Sequence, residues 1–279
     1  MNAVAKLTGF AAILALAFGG AAFAGSLIDV RAGEQAPARA GHGADDAMAA
    51  PQAVRGLAVS DDDGLTLELV RTSTKPGERF DLAFRIADRR GETVRDFDVE
   101  HTKRMHLIVV RRDMTGFQHL HPTESADGTW SVPATLPDPG TYRVFADFST
   151  AGKPHTLADD LVVDGTVRSQ ELPEPVGSVD VDGMRVSLAQ GAGNAGAESQ
   201  MRFTVTRDGK PVAVEPYLGA RGHLVALRRG DLAFLHVHPD EDSLSFMAEF
   251  PSAGRYRLFL QFQVDGRIHT AAFTQEVSR

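Results

Sequence analysis

The chain repeats itself. Residues 105–122 (MHLIVVRRDMTGFQHLHP) align without a gap on residues 222–239 (GHLVALRRGDLAFLHVHP). Further along, 139–156 (PGTYRVFADFSTAGKPHT) match 253–270 (AGRYRLFLQFQVDGRIHT). Upstream, GLTLELV at 64–70 matches GMRVSLA at 183–189, and LAFRI at 82–86 matches MRFTV at 201–205. A duplication of this length requires one folding unit made twice. It sets two domains, 57–165 and 178–279. The polar, Pro-containing segment 166–177 serves as the linker between them.

Each copy reads as short strands. LTLELV, FDLAFRI, MHLIVV and TYRVFADF alternate or form short apolar runs, as strands with one or two covered faces do. Lys75-Pro76-Gly77, Arg90-Gly91, Asp127-Gly128 and Pro139-Gly140 punctuate them as turns. The fold class expected is all-β: two tandem immunoglobulin-like or cupredoxin-like antiparallel sandwiches. Tyr142 and Tyr256, each two residues after a glycine, resemble a tyrosine corner.

Ahead of the repeats, Leu7 to Ile28 carries no charged residue. Residues 1–29 are therefore expected to be a cleaved signal peptide, with Ala22-Phe23-Ala24 as the small-x-small site, or an uncleaved helical membrane anchor. Residues 30–56, rich in Ala, Pro and Gly, are expected to be a flexible tether. Either reading of 1–29 puts the repeats outside the cytoplasm.

Histidine carries the chemical information. Of ten histidines, eight fall at matched places: His106 with His223, His119 with His236, His121 with His238, and His155 with His269. Asp147, by contrast, has become Gln261. A two-residue loop at Asp113-Met114 sets His106 opposite His121, with His119 two residues away on the same face. The same register in the second copy sets Val225 opposite His236 and His223 opposite His238. A second hairpin, turning at Ala151-Gly152 or Asp265-Gly266, sets His155 opposite Phe148 and His269 opposite Phe262. His155 and His269 are expected to approach the other three of their copy.

Clustered neutral imidazoles without thiolates suit Cu(II) or Zn(II). The competing reading follows from the same face, which also carries Ile108, Val110 and Phe117, or Val225, Leu227 and Phe234. Histidines there can be core residues that bond backbone carbonyls.

Other chemistries find little footing. With no cysteine there is no disulfide frame, Fe–S cluster or thiol nucleophile. A formal net charge of −8 disfavours nucleic acid, and an anionic membrane surface, as partners. No Gly-x-Ser-x-Gly elbow or phosphate-binding glycine loop is present. An enzyme is not expected.

The pieces HLIVVRRDMTGFQHLHP and EPYLGARGHLVALRRGDLAFLHVHP resemble a family of exported bacterial proteins of actinobacterial type, described as heavy-metal-associated or simply as secreted. The resemblance covers both repeats. It implies an extracytoplasmic two-repeat β protein, often held to the membrane by its N-terminal helix, in copper or heavy-metal handling. It implies no role for any single residue. The expected function is metal buffering or delivery, by His106, His119, His121 and His155 in one repeat and His223, His236, His238 and His269 in the other. The alternative is a structural or interaction module of the cell envelope, with a protein partner there.

Overall fold

In a computed structural model, residues 54–279 are described except Ala192, His236 and Glu241; Gln190, His238 and Pro239 are described by backbone alone. The expected N-terminal helix and most of the tether lie outside the described residues. Among the described residues no helix is long and apolar enough to cross a membrane.

The first repeat comprises β1 (Thr66–Leu69), β2 (Ser73–Thr74), β3 (Arg79–Ala87), β4 (His106–Arg111), β5 (Gln118–Leu120), β6 (Thr123–Glu124), β7 (Trp130–Thr135), β8 (Gly140–Thr150) and β9 (Lys153–Val163). The second comprises β10 (Ser178–Val181), β11 (Met184–Gln190), β12 (Glu198–Arg207), β13 (Lys210–Pro211), β14 (Gly222–Arg228), β15 (Phe234–Leu235), β16 (His238–Pro239), β17 (Ser245–Glu249), β18 (Gly254–Val264) and β19 (Arg267–Val277). The sheets run β1-β3-β7-β6 and β2-β9-β8-β4-β5, then β10-β11-β12-β17-β16 with β13 on β12, and β15-β14-β18-β19. Pairing is antiparallel apart from the short β2–β9 contact. The described residues are all-β, and each repeat is built of two largely antiparallel sheets.

Alternation builds each sandwich. In β3, Phe80, Leu82, Phe84 and Ile86 point inward between more exposed neighbours. They meet Leu107, Tyr142 and Leu161 from the facing sheet in the first core. Met184, Phe203, Phe246, Tyr256, Leu258 and Phe273 form its counterpart in the second repeat. The tyrosine corner is present in both: Tyr142 donates to the Asp138 carbonyl at 3.1 Å, and Tyr256 to that of Ser252 at 2.8 Å.

β4 breaks the alternation, since all six of its residues are buried. A strand buried throughout needs cover on both faces. Leu107 and Val109 face the first core, while Ile108 and Val110 face a third one. That third core joins Ile108, Val110 and Phe145 of the first repeat to Val225, Leu227 and Phe259 of the second. The repeats thus pack sheet to sheet.

Two connecting segments reinforce the joint. Residues 54–56, the last of the expected tether, are docked. The Phe234 amide donates to the Arg55 carbonyl at 3.0 Å, and the Gly56 amide donates to the Thr156 carbonyl at 3.2 Å. Residues 166–177 are docked too: the Gln170 amide donates to Asp113 at 2.8 Å, Glu174 pairs with Arg255 at 2.8 Å, and Leu172 packs on the third core.

Candidate metal centre

The hairpin of β4 and β5 has the register that the sequence led us to expect. Leu107 pairs with Leu120, Ile108 with His119 and Val109 with Gln118. His106 and His119 therefore share the outward face of the sheet, the one turned to the second repeat, and His121 follows just beyond β5. One ring nitrogen from each of His106, His119 and His121 lies within 4.8 Å of the other two. Two imidazole nitrogens on one tetrahedral zinc ion stand roughly 3.3 Å apart, given bonds of about 2.0–2.1 Å.

The hydrogen bonds constrain where the protons are. His106 Nε2 lies 3.2 Å from the Glu100 carbonyl, and His119 Nδ1 lies 2.8 Å from Gln261 Oε1. Both oxygens only accept, so both nitrogens carry the N–H. A neutral imidazole has one N–H. The remaining nitrogens, His106 Nδ1 and His119 Nε2, then face each other as two lone pairs 3.1 Å apart. His121 Nε2 is fully buried and has no hydrogen-bond partner among the described residues.

A proton shared across that gap is disfavoured. Burial, then the neighbouring His121 and His106, hold His119 well below the usual imidazole range. Burial, then His106 and Lys103, lower His121 to about 4. His106 is lowered as well, chiefly by burial, against the opposing pull of the Glu100 carbonyl and Asp147. Near neutral pH the cluster is uncharged, which is the form that binds metal.

The second repeat closes the site from the other side. His106, Asp147 and Thr156 are one row across β4, β8 and β9; His223, Gln261 and Thr270 are the matching row across β14, β18 and β19. Thr156 donates to Asp147 at 2.6 Å, and Gln261 donates from Nε2 to Thr270 at 3.2 Å. His223 donates from Nε2 to the Tyr217 carbonyl at 2.9 Å, repeating the His106–Glu100 bond. Burial lowers its pKa to about 4. Between the rows is a cavity of about 50 Å³, lined among others by Glu100, His101, His106, His119, Asp147 and His223. One water needs roughly 10–15 Å³ on this measure, so there is room for a few waters beside His106 and His119.

The other expected ligands lie elsewhere. The second hairpins have the expected register, Phe148 with His155 and Phe262 with His269. But Asp147, not Phe148, is in the row of His106, so His155 points to the opposite face of the sheet. It stacks on Phe148, and its Nδ1 is 2.7 Å from Asp61. His269 likewise stacks on Phe262, and its Nδ1 is 2.7 Å from Asp182. The expectation that they approach the other three fails on the two-residue period of a strand. Asp61, Asp63 and His155 form a separate group. β15 ends at Leu235, and His238 passes into the other sheet opposite Met247, away from the expected pairing with His223. His236 lies outside the described residues.

Sequence reasoning placed neither Gln261 nor His101 among the residues of the site. The signal for Gln261 was available in the fully apolar run of β4, which requires a covered outer face and so a second repeat against the histidines.

A family model described as a domain of unknown function (DUF8832) matches the chain twice, at residues 58–165 and 179–279. The chain belongs to that family. No curated protein matches it in sequence. Solved structures similar to it include the Escherichia coli adhesin FdeC, at 15% identity over 78% of this chain and 65% of that one, with a TM-score of 0.27. Elastase-activated E. coli alpha-2-macroglobulin is 13% identical over 77% of this chain and 20% of that one, at 0.28. The fibronectin(III)-like modules of Clostridium thermocellum CbhA are 9% identical over 76% and 93%, at 0.23. This DUF8832 chain spans less than two thirds of the length of the first two.

Proposed function

We propose that the protein binds a divalent transition-metal ion, Cu(II) or Zn(II), at the joint between its repeats, with His106, His119 and His121 as ligands. The observation that carries this reading is the 3.1 Å approach of His106 Nδ1 and His119 Nε2, in a group of three imidazoles to which His121 brings a further ring nitrogen. A cation shared by the three nitrogens would satisfy all of them at once. The outer N–H groups are already given to carbonyl oxygens of Glu100 and Gln261, which is how metal-bound imidazoles are held in orientation. Three nitrogen ligands without a thiolate favour Cu(II) or Zn(II) over Cu(I).

The role is metal buffering or delivery outside the cytoplasm, by a protein that is not an enzyme. The uncharged segment 7–28 supports export, and the resemblance to heavy-metal-associated secreted proteins supports the setting. Asp147, the carboxylate in the row of His106, is answered by Gln261 in the row of His223.

Turning the Gln261 amide over gives the competing arrangement. Its NH2 group would then donate to His119 Nδ1, and His119 Nε2–H to His106, closing the chain without a metal. Titration of the full chain, carrying no histidine tag, with Zn(II) and with Cu(II) separates the two. Binding that loses one ion per chain in the His119→Ala/His121→Ala variant supports a metal centre. Unchanged stoichiometry in that variant, or no binding to the parent, leaves the histidines as a hydrogen-bonded staple between repeats.

A further inference from the structure

Building on the metal reading, we infer that His101 is the first ligand an incoming ion meets, and that the histidine cluster is loaded and emptied through it. Glu100 and Lys103 bond each other in both directions, amide to carbonyl, at 2.8 and 2.9 Å. The loop between them is the two residues His101 and Thr102, at φ +46° and +67°. Such a turn needs left-handed backbone at both positions and favours Asn and Gly there. The second repeat makes the same turn with Leu218 and Gly219, at φ +50° and +80°. The first repeat instead puts an imidazole and a β-branched residue in these slots, a strained choice of the kind that clusters at functional sites.

The strained turn places the His101 ring over the site. Its centre is 5.3 Å from that of His223 and 6.3 Å from that of His106. From His106 the series continues to His119 at 5.4 Å and His121 at 5.0 Å. His101 is exposed, while His106 and His223 are each 8% exposed. His119 and His121 are half-buried, and the imidazoles form a series that runs from the exposed ring of His101 to the ligand nitrogens of the cluster. The carbonyl of Glu100, the first residue of the turn, accepts the His106 N–H, so the turn and the inner ligand are tied together.

A group that acts on the path, and not in the final site, slows loading and release by the same factor and leaves their ratio alone. The test compares the full chain with its His101→Asn and Thr102→Gly variants. Stopped flow would follow Zn(II) uptake, and then Zn(II) removal by an excess of a strong chelator. Asn tolerates the left-handed backbone, so His101→Asn removes the imidazole and keeps the turn. It should slow both rates by about tenfold, with affinity changed less than about threefold, while Thr102→Gly keeps the parental rates. Parental rates in His101→Asn would overturn the inference, as would an affinity loss carried by release alone, which would make His101 a resident ligand. So would equal slowing in Thr102→Gly, which would assign the effect to the loop. If the parent chain takes up no Zn(II) or Cu(II), the metal reading itself falls, and this inference with it.

Discussion

Phe117 of the first repeat lies flat on Phe259 of the second, ring centres 4.1 Å apart and planes 7° from parallel. The stack stands in the same joint as the His119–Gln261 bond, so the packing of the repeats and the shape of the histidine cluster are one matter.

Phe259 is 3% exposed within the third core. Phe259→Ala should cost about 3–5 kcal/mol by cavity formation. Chemical denaturation followed by tryptophan fluorescence reads it, Trp130 being the sole reporter and in the first repeat. An unchanged midpoint would mean that the repeats do not depend on each other.

Gln261→Leu removes the acceptor that holds His119. Metal affinity should fall about 10–100-fold, as when a partner behind a ligand is lost. Calorimetric titration against the parent measures it. Undiminished affinity would place the ion away from His119.

His155 and Asp61 are bonded at 2.7 Å on the far side of the sheet from the cluster. His155→Ala should lower stability by about 1–3 kcal/mol, leaving Asp61 short of a partner, with no change in ions bound at the histidine cluster. Thermal unfolding and metal analysis of one preparation read both quantities.

Asp113 is held by Arg111 at 2.9 and 2.6 Å, by the Gln170 amide at 2.8 Å and by the Thr115 hydroxyl at 2.7 Å. Burial alone would raise its pKa, but these bonds together win and hold it at about 2, against an ordinary 3.8. A folded pKa below the unfolded one stabilises the protein above the unfolded value and is lost as pH falls toward the folded one. Asp113 should therefore contribute about 2 kcal/mol near neutrality that disappears on acidification through its folded pKa. Denaturant midpoints across that range should fall less steeply in Asp113→Asn than in the parent.

Gly56 has φ +69°, and a Cβ there would stand 2.8 Å from the Phe145 ring and 2.9 Å from Phe234. Gly56→Ala should cost at least the roughly 1–2 kcal/mol of a left-handed alanine, with the clash in addition. A parental melting temperature would mean that residues 54–56 do not sit between the repeats.

The sequence by itself determined the local geometry. Its duplication announced two like domains, its alternation announced strands, and its turn residues set the registers of Ile108 with His119, Phe148 with His155 and Phe262 with His269. These follow from short-range rules, a period of two and a small set of turns. Only the tertiary structure decided which histidines meet. His155 and His106 are on neighbouring parts of one sheet, yet a single-residue offset between Asp147 and Phe148 sends them to opposite faces. Whether the outer face of β4 met water or a second repeat was likewise beyond local pattern, because covering it takes the docking of 54–58 and 166–177 and the stacking of Phe117 on Phe259. Contacts between residues more than a hundred positions apart in the chain, such as His119 with Gln261, come from how whole sheets pack, and no short stretch of sequence encodes them.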